Sequence, residues 1–235
     1  MAAKATFRFL SHSFFSITTP GGKTIITDPW IEGNPLCPIK LGDIKAADIV
    51  LVSHDHFDHC AQAVDIAKKT GATVVAQPET IARFKSQLGL ADKNAVFGGG
   101  MNTGGSVQIA GITVTMVQAF HSSATACPAG YIVKMEDGTT FYHAGDTGIF
   151  ESMRLLGELY KLDVALLPIG SVFVMDPVQA AVALKLLKPK VAIPMHYKTF
   201  PILEQNANRF IELAKKEAPQ VKVVVLEPGQ EYKLE

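Results

Sequence analysis

The sequence predicts an α/β fold of αββα type: two mixed sheets packed face to face, with helices on the two outer faces. Three observations lead there. Strand-like stretches come first and then alternate with helix-like ones, which calls for layered sheets and helices. The two halves of the chain have a similar make-up. No linker, charge block or low-complexity stretch separates them, so residues 1–235 read as a single domain, long enough to bury one large core.

Thr6 to Ile17 alternates loosely and reads as a strand with His12 inside it. Pro20-Gly21-Gly22-Lys23 has hairpin-turn chemistry, and Thr24 to Thr27 is a second strand ending at Asp28-Pro29. Glu32 to Ile39, with Gly33, Pro35 and Pro38, is a loop. Ala61 to Lys69 has helical spacing and stops at Gly71. Thr73 to Ala76 is a short buried strand, and Pro78 to Leu88 a helix with Pro in its first turn. Gly98-Gly99-Gly100 and Gly104-Gly105 mark turns. They are not a phosphate loop, because no Gly-Lys-Ser/Thr follows. Ser106 to Ala110 and Ile112 to Gln118 pair around Gly111. Tyr131 to Met135 and Thr139 to His143 pair over Glu136-Asp137-Gly138. Phe150 to Tyr160 is a helix and Asp163 to Leu167 a strand. Pro177 to Leu187 is a helix that Asp176 can cap. Val191 to Pro194 is a strand, Leu203 to Lys216 a helix, and Val221 to Leu226 and Glu231 to Leu234 are the last strands.

Composition narrows the function. Hydrophobic content of 48% and charged content of 19% suit a soluble globular enzyme. Lys+Arg and Asp+Glu are both 22, so net charge gives no support to a nucleic-acid or acidic-membrane partner. Cys37, Cys60 and Cys127 are odd in number and far apart, which fits a reducing, cytoplasmic setting. Arg8 and His12 interrupt the N-terminal apolar stretch too early for a signal peptide, and no uncharged apolar run approaches the ~20 residues of a membrane span. Oligomeric state stays open, with a homo-oligomer among the options.

The densest chemistry lies in Ser53-His54-Asp55-His56-Phe57-Asp58-His59, directly after the apolar run Asp48-Ile49-Val50-Leu51-Val52. A strand end is where catalytic groups gather in α/β folds. His54 and His56 are two apart, so extended backbone points them the same way. Asp58 and His59 are adjacent and more easily serve a second direction. One metal gripped by His54 and His56, with a neighbour gripped by Asp58 and His59, is the natural reading; imidazole with carboxylate suits Zn, Mn or Fe. His121, Asp146 and His196 each follow a predicted strand within a few residues, so they can converge on the same edge. Taken singly, each is equally a loop His, a turn Asp or an exposed His.

His54-x-His56-x-Asp58-His59, then His121, Asp146 and His196, resembles the metallo-β-lactamase superfamily pattern in order and spacing across almost the whole chain. That family's αββα sandwich agrees with the element order. Asp28-Pro29-Trp30, Gly33-Asn34-Pro35, Tyr142-His143-Ala144-Gly145-Asp146-Thr147 and Pro194-Met195-His196-Tyr197 resemble a branch of uncharacterised metal-dependent hydrolases related to L-ascorbate-6-phosphate lactonase. The resemblance implies that His54, His56 and His121 hold a first metal, that Asp58, His59 and His196 hold a second, and that Asp146 bridges them. The two divalent ions would be Zn first, with Mn or Fe as alternatives. It implies a hydrolase whose metal-bridging hydroxide attacks a small anionic substrate, such as a phosphodiester or a phosphorylated lactone. Asp58 would also relay a proton. His12 and His143 would contact substrate or orient ligands, unless they are core histidines. Asp28 would fix a ligand or loop by hydrogen bonding, and Tyr197 would present its hydroxyl or simply pack. Cys60 is not assigned as a ligand. Two other classes compete: a di-iron redox protein on the same fold, whose relatives carry Glu where this chain has His56, and a non-catalytic metabolite-binding module, against which the intact ligand set argues.

Overall fold

Period-two burial builds the first sheet. Phe7, Phe9, Phe15, Ile17, Ile25, Ile49, Leu51 and Val75 face one core, while the intervening Ile26, Val50 and Val74 face another. The structure is a computed structural model describing residues 4–235; residues 1–3 of the span expected for the domain lie outside the described residues. In chain order its elements are β1 (Thr6–Phe9), β2 (Phe15–Thr18), β3 (Thr24–Thr27), β4 (Ile49–Leu51), α1 (Phe57–Cys60), α2 (Ala63–Thr70), β5 (Thr73–Val75), α3 (Pro78–Leu88), β6 (Ser106–Ile109), β7 (Ile112–Gln118), β8 (Ala129–Lys134), β9 (Thr140–His143), α4 (Met153–Tyr160), β10 (Val164–Pro168), α5 (Pro177–Leu187), β11 (Val191–Met195), α6 (Asn208–Glu217), β12 (Lys222–Val223) and β13 (Glu231–Lys233).

One sheet runs β13-β1-β2-β3-β4-β5 and the other β12-β11-β10-β9-β8-β7-β6. Their inner faces share a core in which Phe7 meets Phe141 edge-on at 5.6 Å. Helices α2 and α3 cover the outer face of the first sheet, burying Val64, Ile66, Ile81 and Phe84 there. Strands β9 to β12 are parallel neighbours in sequence order, so their crossover helices α4, α5 and α6 lie on one face, away from the first sheet. Strands β10 and β11, covered on both sides, are buried at every position.

This topology aligns the strand ends. Strands β7, β9 and β11 run the same way, because β8 is antiparallel to both β7 and β9 and β9 to β11 are parallel. Strands β1, β3 and β4 likewise share a direction. The segments after these strands carry His12, Asp28, the His54–His59 stretch, His121, Asp146 and His196.

Four expectations need correction. Thr6 to Ile17 is not one strand but a tight hairpin, closed by Leu10 N–H donating to the Phe14 carbonyl at 2.8 Å, and His12 sits in its turn at φ 59. A single helical turn, α1, begins at Phe57 inside the histidine stretch. The helix expected from Leu203 starts only at Asn208, because long-range bonds outcompete its first turn: Glu204 N–H donates to Gly170 and Lys198 N–H to Glu204. The strand expected over Val221 to Leu226 keeps two residues. Val224 N–H donates to Ala192, and the next rung would need an N–H that Pro194 does not have.

Tyr131 of β8 ties the two sheets together behind the histidine loop. Its fully buried hydroxyl lies 2.7 Å from the Val52 carbonyl and 3.0 Å from that of Val75. Tyr131→Phe leaves the Val52 carbonyl short of a partner and should cost about 1–3 kcal/mol in urea unfolding. A loss below a few tenths would mean that the tie carries no weight.

Candidate metal centre

The chain leaves β4 extended through His56 (φ −65, ψ 148) and then turns into α1. Extended backbone brings His54 Nε2 to 2.9 Å from His56 Nδ1, as their spacing of two predicts. The helical turn sends Asp58 and His59 elsewhere. Three clusters result, each with its donor atoms mutually within 4.8 Å: His54, His56 and His121; His54, His59 and Asp146; and His12, Asp58, His59 and His196.

Asp146 is the point where they meet. Its Oδ2 lies 3.0 Å from His196 Nε2, 3.3 Å from His59 Nε2, 3.6 Å from His121 Nε2 and 4.0 Å from His54 Nε2. The loop that carries it passes tightly under the histidine stretch: Gly145 has φ 60, and a Cβ there would lie 2.7 Å from Ser53 Cβ. Gly170 has a similar role beneath His196, where a Cβ would lie 2.1 Å from the His196 carbonyl oxygen.

Asp28 organises the cluster from behind. Its carboxylate accepts from Ser53 N–H at 2.7 Å, from Ser53 Oγ at 2.7 Å and from His59 Nδ1 at 2.9 Å. With Nδ1 engaged, His59 turns its Nε2 lone pair inward. Ser53 Oγ lies 3.0 Å from His54 Nδ1 and sets that ring too. Asp28, His12 and His196 all hold positive φ (39, 59 and 56), and such strain gathers at functional sites.

Asp55 is the residue that sequence reasoning missed. It lies within the histidine stretch, yet its carboxylate points away from the cluster. It accepts from Ser123 Oγ, Ala124 N–H, Thr125 Oγ1 and Arg83 Nη1 at 2.6–2.7 Å, and so staples the segment after His121 to the β4 loop. Burial pushes this carboxyl up, but those donors outweigh it and hold it below the usual carboxylate range. The only signal was an Asp at an odd position in a ligand-like run.

The placements of His12 and His143 differ. His12 is fully buried; its Nε2 faces Asp58 Oδ2 at 3.2 Å and its Nδ1 lies 2.7 Å from Thr199 Oγ1. It belongs to the same group of donors as Asp58, His59 and His196, facing Asp58, and does not line the cavity above. His143 is further back. Its Nε2 donates to the Ser13 carbonyl at 3.0 Å and its Nδ1 accepts from Gly145 N–H at 3.2 Å. Both nitrogens are engaged by backbone, the ring is wholly buried, and His143 is not among the residues lining the cavity. Tyr197 is buried and Cys60 faces the α2–α3 core, its thiol pushed up to about 12 chiefly by burial.

The donor set fits divalent cations. His12 Nε2, His59 Nε2 and Asp146 Oδ1 are buried with no hydrogen-bond partner. Burial, reinforced by His59, pushes His54 down to about 3, which leaves a neutral ring with a lone pair to give. Burial would push Asp146 up, but His196 and His59 hold it well below the usual carboxylate range. Burial also disfavours charge on His59, yet the carboxylates of Asp146 and Asp28 raise it well above an ordinary imidazole. A site that draws positive charge onto a buried imidazole is one that a metal ion would satisfy.

Asp28 is not among the residues lining the cavity above the cluster, so its effect should run through His59 and Ser53. Asp28→Asn should weaken metal binding by about 10–100-fold, the usual cost of losing an outer partner of a ligand, with the fold retained. Titration with a competing chelator reads this directly; unchanged affinity would separate Asp28 from the metal.

Comparisons with known proteins identify the family and the fold. The Beta-lactamase superfamily domain matches residues 23–197. A UPF0173 metal-dependent hydrolase of Nitratidesulfovibrio vulgaris (strain DP4) is 49% identical over 224 residues, covering 95% of this chain and 93% of the relative. Another from Caldivirga maquilingensis is 45% identical over 223 residues, covering 94% and 95%. Among solved structures, Igni18, a novel metallo hydrolase from the hyperthermophilic archaeon Ignicoccus hospitalis, superposes with a TM-score of 0.89 at 36% identity and 99% coverage of both chains. Similarity of this depth over nearly the full length, on a sandwich with its donor residues at one edge, makes the chain a member of the β-lactamase superfamily, in its branch of UPF0173 metal-dependent hydrolases.

Proposed function

We propose that this chain, acting as one domain over residues 1–235, hydrolyses a small substrate with a binuclear metal centre. His54, His56 and His121 hold the first ion, Asp58, His59 and His196 the second, and Asp146 stands between them. The observation that carries this reading is Asp146 Oδ2, a single buried oxygen faced by four imidazole nitrogens within 4.0 Å. Zn is the first choice and Mn or Fe the alternatives, since imidazole with carboxylate suits all three. When bound, such ions would supply an acidified water as nucleophile and would polarise the scissile group.

The protein's own part is positioning and proton handling. Asp58 lines the cavity and can accept or relay a proton, and His12 holds its carboxylate in place from the buried side. Burial pushes Asp58 up, but His12 and His59 more than offset it, so the carboxyl stays ionised. A phosphodiester or a lactone suits the site. None of the described residues lining the cavity is Lys or Arg, so the phosphate of a phosphorylated lactone has no side-chain cation to meet it. The three cysteines form no disulfide, which supports work in the cytoplasm. Among the described residues no helix is long and apolar enough to cross a membrane.

Two measurements test this. Elemental analysis after reconstitution should find close to two transition metals per chain, and Asp146→Ala should lose most of both. His143→Ala should instead keep metal in the folded fraction and cost about 1–3 kcal/mol of stability, because it strands buried backbone groups. A stoichiometry that stays at one, unaltered by Asp58→Ala, would exclude the binuclear assignment.

For the chemistry, Zn- or Mn-loaded protein should cleave a chromogenic phosphodiester or a lactone with no electron donor present. Activity confined to Fe-loaded protein with reductant and oxygen would assign the site to redox chemistry instead.

A further inference from the structure

The cavity above the cluster has a volume of about 740 Å³ and two kinds of lining. Its floor is His56, Asp58, His121, Asp146 and His196. Its walls are Phe57, Phe173, Phe200, Pro201 and Ile202, and Ser122 is the one neutral polar side chain among the described lining residues.

Isolated apolar residues at a protein surface are ordinary. Here Phe57, Phe173 and Ile202 are more than half exposed, come from three separate segments and meet around one opening. They come from α1, from the loop after β10 and from the loop after β11. A convergent apolar rim over a polar floor is the usual make-up of a small-molecule site.

The walls are also held in position. Trp30 stacks on Phe200 at 5.4 Å and meets Phe57 edge-on at 5.6 Å, with its indole N–H donating to the Glu32 carbonyl at 3.0 Å. Phe173 follows Val172, a β-branched residue at φ 39, a conformation that such residues rarely adopt. Long-range bonds from Glu204 to Gly170 and within the segment after His196 keep Pro201 and Ile202 out of the helix and at the rim. Backbone strain and an aromatic buttress both maintain the apolar face.

We propose that the substrate is an amphipathic ester, a lactone or phosphodiester that carries an aryl group or an alkyl chain next to the scissile bond and no second charged group. The floor would take the polar, reacting end. The phenylalanines and Ile202 would take the apolar end, which a small sugar phosphate could not fill and which no side-chain cation lines. This rests on the hydrolase reading above and adds the substrate class to it.

The test uses the metal-loaded full chain and a series of methyl alkyl phosphodiesters and alkyl-substituted lactones, none carrying an aryl group, with the alkyl chain running from methyl through butyl and hexyl to octyl. Burying one methylene changes affinity or kcat/KM on the order of three- to fourfold, so kcat/KM should climb by about that factor per carbon until the cavity is filled. Phe173→Ser and Ile202→Ser should each flatten this gradient, and circular dichroism of both variants controls for misfolding. Calorimetry with methyl- and octylphosphonate reads the same preference without turnover, and octylphosphonate should bind more tightly.

A flat gradient, or equal cleavage of a tail ending in carboxylate, would overturn the substrate class and leave the hydrolase reading intact. No turnover of any member would count against the hydrolase reading; the calorimetry then decides this proposal alone, and equal binding of the two phosphonates overturns it. If Ile202→Ser changes the molecular mass in light scattering while the gradient persists, the rim is a contact between copies of this chain and the proposal fails.

Discussion

A buried carboxylate oxygen within 4.0 Å of four imidazole nitrogens is the constraint that the rest of this structure serves. Ionisable groups without partners are costly to bury, and this many are gathered only where a positive charge is to be held. The cluster needs rings locked in one orientation and lone pairs pointing inward. Asp28 does this for His59 directly and for His54 through Ser53, and the Ser53 backbone N–H anchors Asp28 in return. The result is a rigid outer layer on strand ends, where rotamers are fixed by packing rather than left to solvent.

The sandwich supplies the edge on which this is possible. Sheet directions put the ends of β1, β3 and β4 on one side and those of β7, β9 and β11 opposite them. Tight backbone approach closes the gap between the two sheets: Gly145 passes under Ser53, and His196 N–H donates to the His12 carbonyl at 2.9 Å. Asp55 adds a third link by stapling the segment after His121 to the loop after β4. His59 and His196 are thus each held by an element other than their own.

Above the rigid floor, the cavity walls come from loops. Residues 199–207 are kept irregular by long-range backbone bonds and by Gln205, whose side-chain amide donates to the Phe200 and Leu203 carbonyls. Loops of this kind vary more readily than the strands beneath them, so selectivity can change while the chemistry stays. The division of labour is physical: charge and geometry at the strand ends, shape and apolar area in the loops.

Much of this was legible from local pattern. Apolar runs between turn residues located most of the strands, Pro78, Pro177, Asp176 and Gly71 bounded their helices, and the spacing of His54 and His56 implied a shared direction that the 2.9 Å approach of their rings reproduces. The order of His and Asp residues along the chain was enough to suggest the family. What local pattern could not reach were choices made by partners far away in sequence. Pro194 ended the pairing of β12 by lacking an N–H, Gly170 and Lys198 drew Glu204 out of a helix, and the backbone of Ser13 and Gly145 took both nitrogens of His143. Asp55 and Asp58 are the same residue type three positions apart, yet one faces the loop and the other the cluster. Sequence determined which residues gather at the edge, because strand direction and spacing are local properties. Tertiary structure decided which way Asp55, Asp58 and His143 point, because hydrogen bonds to residues distant in sequence fix that only once the sandwich has closed.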